Sequence, residues 1–314
     1  MTALPAAPAT PADVEAAADR IGTRVRETPV LALGVGELGA SPLVLKLELL
    51  QHAGSFKPRG AFNRVLKADV PDSGVVAASG GNHGVAVAHV AHVLGVKAEV
   101  FVPATSPPAK VDRIRALGAT VVVGGAIYDD AQAAATARAT ETGALLVHPY
   151  DHPDIVAGQG TMARELDRQA PGLDTVLVAV GGGGLIAGVA TWFGTRVKVV
   201  SVEPETIPAM RAALDAGKPV DVSVSGLAAD SLGAKRIGDV PFACVAPVVH
   251  DAVLVSDEAI RAAQRALWET VRLMAEPGGA AALAAVLSEA YRPVAGERVA
   301  VVLCGSNVAP ETLV

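Results

Sequence analysis

Apolar runs of β type alternate with alanine-rich helical stretches along almost the whole chain, and few folds accept that rhythm. The runs read as strands at 43–48, 74–78, 97–102, 119–123, 144–147, 174–180, 196–202, 251–255 and 298–303. Between them lie helical patterns at 58–68, 83–95, 107–117, 128–142, 154–169, 184–193, 207–216, 257–275 and 278–290. Ahead of these, Thr10-Pro11-Ala12-Asp13 reads as an N-cap, a proline at the first helical position and an acidic first turn, after a frayed, Ala/Pro-rich start at residues 1–10. Such alternation predicts an α/β fold of mostly parallel sheets flanked by helices on both faces. Nine strands exceed one ordinary doubly wound sheet, so the expectation is two open, twisted sheets with a cleft between them. The expected division is a large domain of residues 1–73 plus 152–314 and a small one of residues 74–151.

Composition removes several functional classes. Charged residues make up 18%, below the usual quarter, which fits a compact globular chain and not a disordered one. The net charge of −6 carries no basic block, which argues against a nucleic-acid partner. No uninterrupted apolar stretch reaches the length of a membrane span, and Met1 to Pro11 lacks the pattern of a signal peptide. Cys244 and Cys304 lie far apart and define neither a disulfide framework nor a zinc site, so a reducing cytoplasm is the expected setting.

Four segments carry chemistry. Lys57 stands in Ser55-Phe56-Lys57-Pro58-Arg59-Gly60, where Pro58 is a natural first residue of the helix. A lysine at a helix N-terminus feels the positive dipole end, and with partial burial its ammonium form is disfavoured. The free amine that results is what carbonyl chemistry needs, although a surface lysine at a helix start is a common alternative. Ser79-Gly80-Gly81-Asn82-His83-Gly84, between a strand and a helix, can turn several N–H groups toward one carboxylate or phosphate. Asn82 doubles as an N-cap there, and His83 reads equally as a helix-surface residue.

Gly181-Gly182-Gly183-Gly184 follows the strand Thr175–Val180. Four glycines cost chain entropy, and close backbone approach to a phosphate at a helix N-terminus is the usual compensation. Gly182, Gly184 and Ala187 also satisfy the dinucleotide pattern, with Glu203 about twenty residues on where a ribose-binding acid would fall. The segment alone therefore says phosphate and leaves an NAD-type oxidoreductase open. Cys304-Gly305-Ser306-Asn307 follows the last strand, at the end that faces the cleft in parallel sheets. A small buried hydrophobe is the alternative reading for Cys304, and the reading adopted for Cys244.

Taken in order, these segments together with Glu276-Pro277 resemble the tryptophan-synthase-like, fold type II group of pyridoxal-phosphate enzymes, on the serine/threonine dehydratase and serine racemase branch. The resemblance covers nearly the whole chain. It implies that pyridoxal 5'-phosphate forms a Schiff base with Lys57, that Phe56 packs beside the pyridine ring and that Asn82 bonds the 3-oxygen. Gly181 to Gly184 would hold the phosphate, Cys304 would face the pyridine nitrogen, and the backbone of Ser79 to His83 would hold the substrate carboxylate. A neutral thiol makes the ring a weak electron sink, which favours β-elimination over transamination. The implied activity is an L-threonine/L-serine ammonia-lyase with Lys57 as the Cα base.

Two departures modify that picture. Racemising members carry an extra serine where this chain has Gly80, so racemisation is expected to be minor. The family's cation site uses an acid and residues four and six positions later; Glu203 keeps the acid, but Ala209 replaces an aspartate, leaving a monovalent ion as the expectation. Seven residues follow Asn307, so no C-terminal regulatory domain is expected in this sequence. Side-chain selectivity is expected from segments 150–160 and 226–234, and the resemblance implies a homodimer. Competing readings are a racemase, a hydroxyaspartate dehydratase, a β-replacement synthase (whose lysine is usually followed by an aspartate-arginine pair where this chain has Pro58-Arg59) and a non-catalytic amino-acid sensor.

Overall fold

Two mostly parallel sheets share the chain. A computed structural model describes residues 7–106, 108–309 and 311, so residues 1–6 of the expected frayed start and Pro107 at the head of helix 107–117 lie outside it. The strands are β1 (Val30–Leu33), β2 (Leu43–Lys46), β3 (Val75–Ala78), β4 (Ala98–Val102), β5 (Thr120–Val123), β6 (Leu145–Leu146), β7 (Thr175–Ala179), β8 (Lys198–Pro204), β9 (Val249–Val255) and β10 (Val299–Val302). One sheet has the order β1-β2-β10-β7-β8-β9, parallel except for β1, and the other the order β5-β4-β3-β6, parallel throughout. The smaller sheet draws only on residues 75–146. All nine expected strands form. The tenth, β1, was not foreseen: it is short, antiparallel and at the sheet edge, and its exposure lacks a clean alternation.

Helices cover the sheets: α1 (Pro11–Ile21), α2 (Lys57–Lys67), α3 (Asn82–Leu94), α4 (Pro108–Ala116), α5 (Tyr128–Thr142), α6 (Pro153–Gln169), α7 (Gly184–Phe193), α8 (Ala209–Ala216), α9 (Ala229–Leu232), α10 (Asp239–Val245), α11 (Asp257–Val271) and α12 (Pro277–Leu287). The Thr10 signal works as read, since Asp13 N donates to Thr10 Oγ1 and Thr10 N to Asp13 Oδ2. Helix α11 stops four residues before the expected end because Arg272 turns left-handed, at φ 56°. The central strands β7 and β10 are buried at every position, so their sequences run apolar without alternation. Among the described residues, no helix is long and apolar enough to cross a membrane.

A buried ion network fixes the start of α2. Arg59 is fully buried and its guanidinium donates to both carboxylate oxygens of Glu48, at 2.8 Å each, and to both of Glu165, at 2.7 and 2.8 Å. Lys46 Nζ, on β2, joins at 3.0 Å from Glu165. Burial works against Glu48's charge, but the Arg59 guanidinium outweighs it and holds the carboxyl below its usual range. Sheet, α2 and α6 are thereby set relative to one another two residues along the chain from Lys57.

Candidate active site

Lys57 is the first residue of α2 and is half-buried. Its Nζ donates to the carbonyl of Pro149 at 2.8 Å and lies 5.1 Å from the centre of the Phe56 ring. Burial lowers its amine to about 8, against the partial opposition of Cys304 and Glu276. The free base that the sequence pattern called for is therefore accessible near neutral pH.

Pairing across the last strand brings the thiol to the lysine. Ser55 and Gly305 form an antiparallel bridge, and Phe56 N donates to the Cys304 carbonyl at 3.2 Å. Cys304 is buried, with its Sγ donating to the Gly278 carbonyl at 3.4 Å. Burial pushes the thiol well above its ordinary range, with Glu276 adding to the shift, so it stays protonated and neutral.

The glycine run forms the turn from β7 into α7. Gly183 takes φ +91°, a conformation that L side chains rarely adopt, and Gly184 opens the helix. A Cβ on Gly182 would collide with the ring of Tyr150, and one on Gly181 would lie 3.2 Å from Leu232 Cα. Packing against Tyr150 and Leu232 therefore requires glycine here, and the run ends at the N-terminus of α7, which suits a phosphate group. Phe56, Lys57, Asn82, the four glycines and Cys304 line one cavity, completed by Tyr150, Ser231, Leu232 and Glu276.

The turn after β3 contributes less directly. Asn82 reaches that cavity, whereas Ser79, Gly80, Gly81 and His83 do not line it. The expected N-cap role of Asn82 is corrected: Asn82 is already the first residue of α3, Gly81 holds the cap position, and the Asn82 side chain bonds elsewhere. Its Nδ2 donates to Glu276 at 2.5 Å, and its Oδ1 accepts from Asn307 Nδ2 at 2.6 Å. His83 is buried with Nε2 on the Val147 carbonyl at 2.8 Å; burial and then Lys57 lower it to about 3, so it stays neutral and is no surface residue. Beside Gly80 the space that a side chain would take is filled by the half-buried Ser106 hydroxyl.

Glu203 stands apart from this cluster. Its carboxylate is buried and accepts the amides of Met210 at 2.6 Å and Arg211 at 2.9 Å, so it caps α8 with both oxygens. Burial raises it to about 7 despite those bonds. Both oxygens are thus engaged by backbone amides of α8. Among the described residues no group of three or more His, Cys, Asp or Glu side chains is placed to hold a metal ion.

Tyr150 and Glu276 also line the cavity. Tyr150 packs edge-on to His148, with centroids 4.8 Å apart, and falls within segment 150–160. Its signal was an aromatic between Pro149 and Asp151 in a chain with 3% aromatics. Glu276 offered a carboxylate directly before Pro277, the signature of a helix start. Segment 226–234 reaches the cavity through Ser231 and Leu232.

A lysine amine whose free base is accessible, a glycine run that lines the cavity at a helix N-terminus and a neutral thiol together fit a cofactor with an aldehyde and a phosphate. Residues 21–305 match the family model described as "Pyridoxal-phosphate dependent enzyme", and the chain belongs to that family. The dinucleotide reading of Gly182–Ala187 falls with this. More particularly, the chain is 39% identical over 305 residues to the biosynthetic L-threonine dehydratase of Haemophilus influenzae, covering 94% of this chain and 60% of that protein. It thus spans less than two thirds of that relative. Among solved structures, a threonine deaminase from T.th. is 37% identical with a TM-score of 0.87, covering 96% of this chain and 99% of that one. Maize serine racemase is 31% identical with a TM-score of 0.92, covering 98% and 96%.

Proposed function

We propose that the chain is an L-threonine/L-serine ammonia-lyase, releasing a 2-oxo acid and ammonia by α,β-elimination. The observation that carries this reading is a half-buried Lys57 amine lowered to about 8, set between a glycine cradle and the uncharged thiol of Cys304. Pyridoxal phosphate, when bound, supplies the electron sink that makes the Cα proton acidic. The amides of Gly181 to Gly184 would hold its phosphate at the α7 N-terminus, and Phe56 would flank its ring. Asn82 offers an N–H to the ring oxygen, and the backbone of Ser79 to His83 receives the substrate carboxylate. Lys57 holds the cofactor and, once free, takes the Cα proton of the substrate. Cys304 stays neutral, and facing the ring it would limit the sink and favour β-elimination over transamination. Similarity to proteins named threonine dehydratase and threonine deaminase supports the substrate class.

The test is direct. Purified protein with cofactor and L-threonine should yield 2-oxobutanoate and ammonia, and Lys57→Ala should yield neither. Absence of product from both threonine and serine would remove the reading.

A second reading, racemisation of serine, is favoured by one observation. The Ser106 hydroxyl occupies the space beside Gly80, so that side of the turn carries a proton-bearing group after all. Chiral separation of L-serine reaction mixtures distinguishes the two: D-serine rising ahead of pyruvate supports the racemase. The proposed setting is a cytoplasmic homodimer with a large domain of residues 1–73 and 152–314 and a small one of residues 74–151. The confinement of the smaller sheet to residues 75–146 supports this division.

A further inference from the structure

Glu276 is a buried carboxylate in the cleft that none of the steps above uses. It is 3% exposed and N-caps α12, and its backbone N donates to the Gly305 carbonyl at 3.1 Å. The chain makes room for it: a Cβ on Gly305 would collide with Glu276 Oε1. What it holds is Asn82.

A carboxamide looks alike from either end, and only its partners decide which way it points. Here both ends of a short chain are unambiguous. The Arg113 guanidinium can only donate, and it meets Asn307 Oδ1. The Ala53 carbonyl can only accept, and it takes Asn307 Nδ2 at 2.8 Å. The same Nδ2 donates to Asn82 Oδ1 at 2.6 Å, which turns the Asn82 amide group toward Glu276 at 2.5 Å. Asn82 then has one N–H left, on a side chain that lines the cavity with Lys57 and Phe56.

We propose that Glu276 is a positioning residue: with Asn307 it locks the Asn82 amide so that its remaining N–H is presented to the cofactor's ring oxygen. This rests on the role proposed for Asn82 above. The groups facing Glu276 are Lys57 on α2, Lys110 on α4, Asp230 on α9, and Cys304 after β10. Burial dominates and lifts its carboxyl to about 7, and in either protonation state one oxygen still accepts from Asn82.

The experiment measures pyridoxal-phosphate affinity of the apo protein by absorbance titration for wild type, Glu276→Ala, Glu276→Gln, Asn82→Ala and the Glu276→Ala/Asn82→Ala double variant. Glu276→Ala should weaken binding about 10–100-fold, the range for a lost hydrogen bond to a charged group. Glu276→Gln, which keeps an acceptor oxygen, should recover most of it, and the double variant should be no worse than Asn82→Ala alone. Melting of each apo form separates lost aim from lost fold. If Glu276→Ala does not fold, Asn307→Ala frees the other end of the same amide and carries the same expectation. Wild-type affinity in Glu276→Ala beside a weakened Asn82→Ala overturns the proposal, as do additive losses in the double variant. Unchanged affinity in Asn82→Ala instead removes the role proposed for Asn82.

Discussion

The lowered Lys57 amine makes a kinetic prediction that needs no substrate. Cofactor capture begins with attack of a free amine on the aldehyde, so the rate at which apo protein takes up pyridoxal phosphate follows the fraction of Lys57 that is neutral. With its amine at about 8, roughly 9% is free base at pH 7, against about 0.03% for an ordinary lysine, a gain of about 300-fold. Stopped-flow measurement of the visible band of lysine-bound cofactor, from pH 6 to 10, should show the rate rising about tenfold per unit and levelling near 8. Dividing by the rate for a lysine side chain in a short peptide cancels the titration of the cofactor itself, and that quotient should be flat below about pH 8 and fall above it. A rate that keeps climbing toward pH 10 would refute the reasoning, because burial would then not be lowering the amine. Linkage gives a second reading of the same shift. The unfolded chain binds an extra proton between the folded value and the ordinary one, so apo stability rises with pH across that window. Lys57→Met should therefore stabilise the apo protein at pH 7, by at most about 3 kcal/mol and by less in so far as the half-buried site is screened.

Three other outcomes are expected. Arg59→Ala leaves Glu48 buried with no guanidinium, and should cost about 3–5 kcal/mol in urea unfolding, a large share of an ordinary domain's stability; a loss under about 1 kcal/mol would contradict the network described. Gly182→Ala places a methyl against the Tyr150 ring and should weaken cofactor binding about 10–100-fold; an unchanged affinity would show that Tyr150 yields freely. Cys304→Asp should increase the share of turnovers lost to transamination, read as accumulation of the aminated cofactor, while Cys304→Ser leaves that share unchanged.

Periodicity carried the fold well because β7, β10 and their neighbours are buried on both faces and announce themselves as apolar runs. It failed where burial is partial. Strand β1 hides among Pro29 and Gly34, and α9 and α10 are too short, at four and seven residues, to show a helical period. The chemistry was legible as separate segments. Lys57, the glycine run and Cys304 were each visible because their residue types are unusual where they stand. The amide chain from Arg113 to Glu276 was not, since its members come from α4, α3 and two connecting segments that only tertiary packing brings together. Glu203 shows a contact that the sequence did not disclose: the acid at a strand end caps α8 with both oxygens.

Strand β10 is among the last elements of the chain, yet it lies between β2 and β7 and joins two halves of a sheet that touch through it alone among the described strands. Leu303 N donates to the Lys46 carbonyl, and Leu49 N to the Leu303 carbonyl, just below the Phe56–Cys304 bond. The smaller sheet draws on one continuous stretch of chain, whereas the lysine stands beside the thiol only when this strand is inserted. The lysine and the thiol therefore meet only once β10 has closed the gap between β2 and β7, which makes the site a product of long-range pairing and not of any one segment.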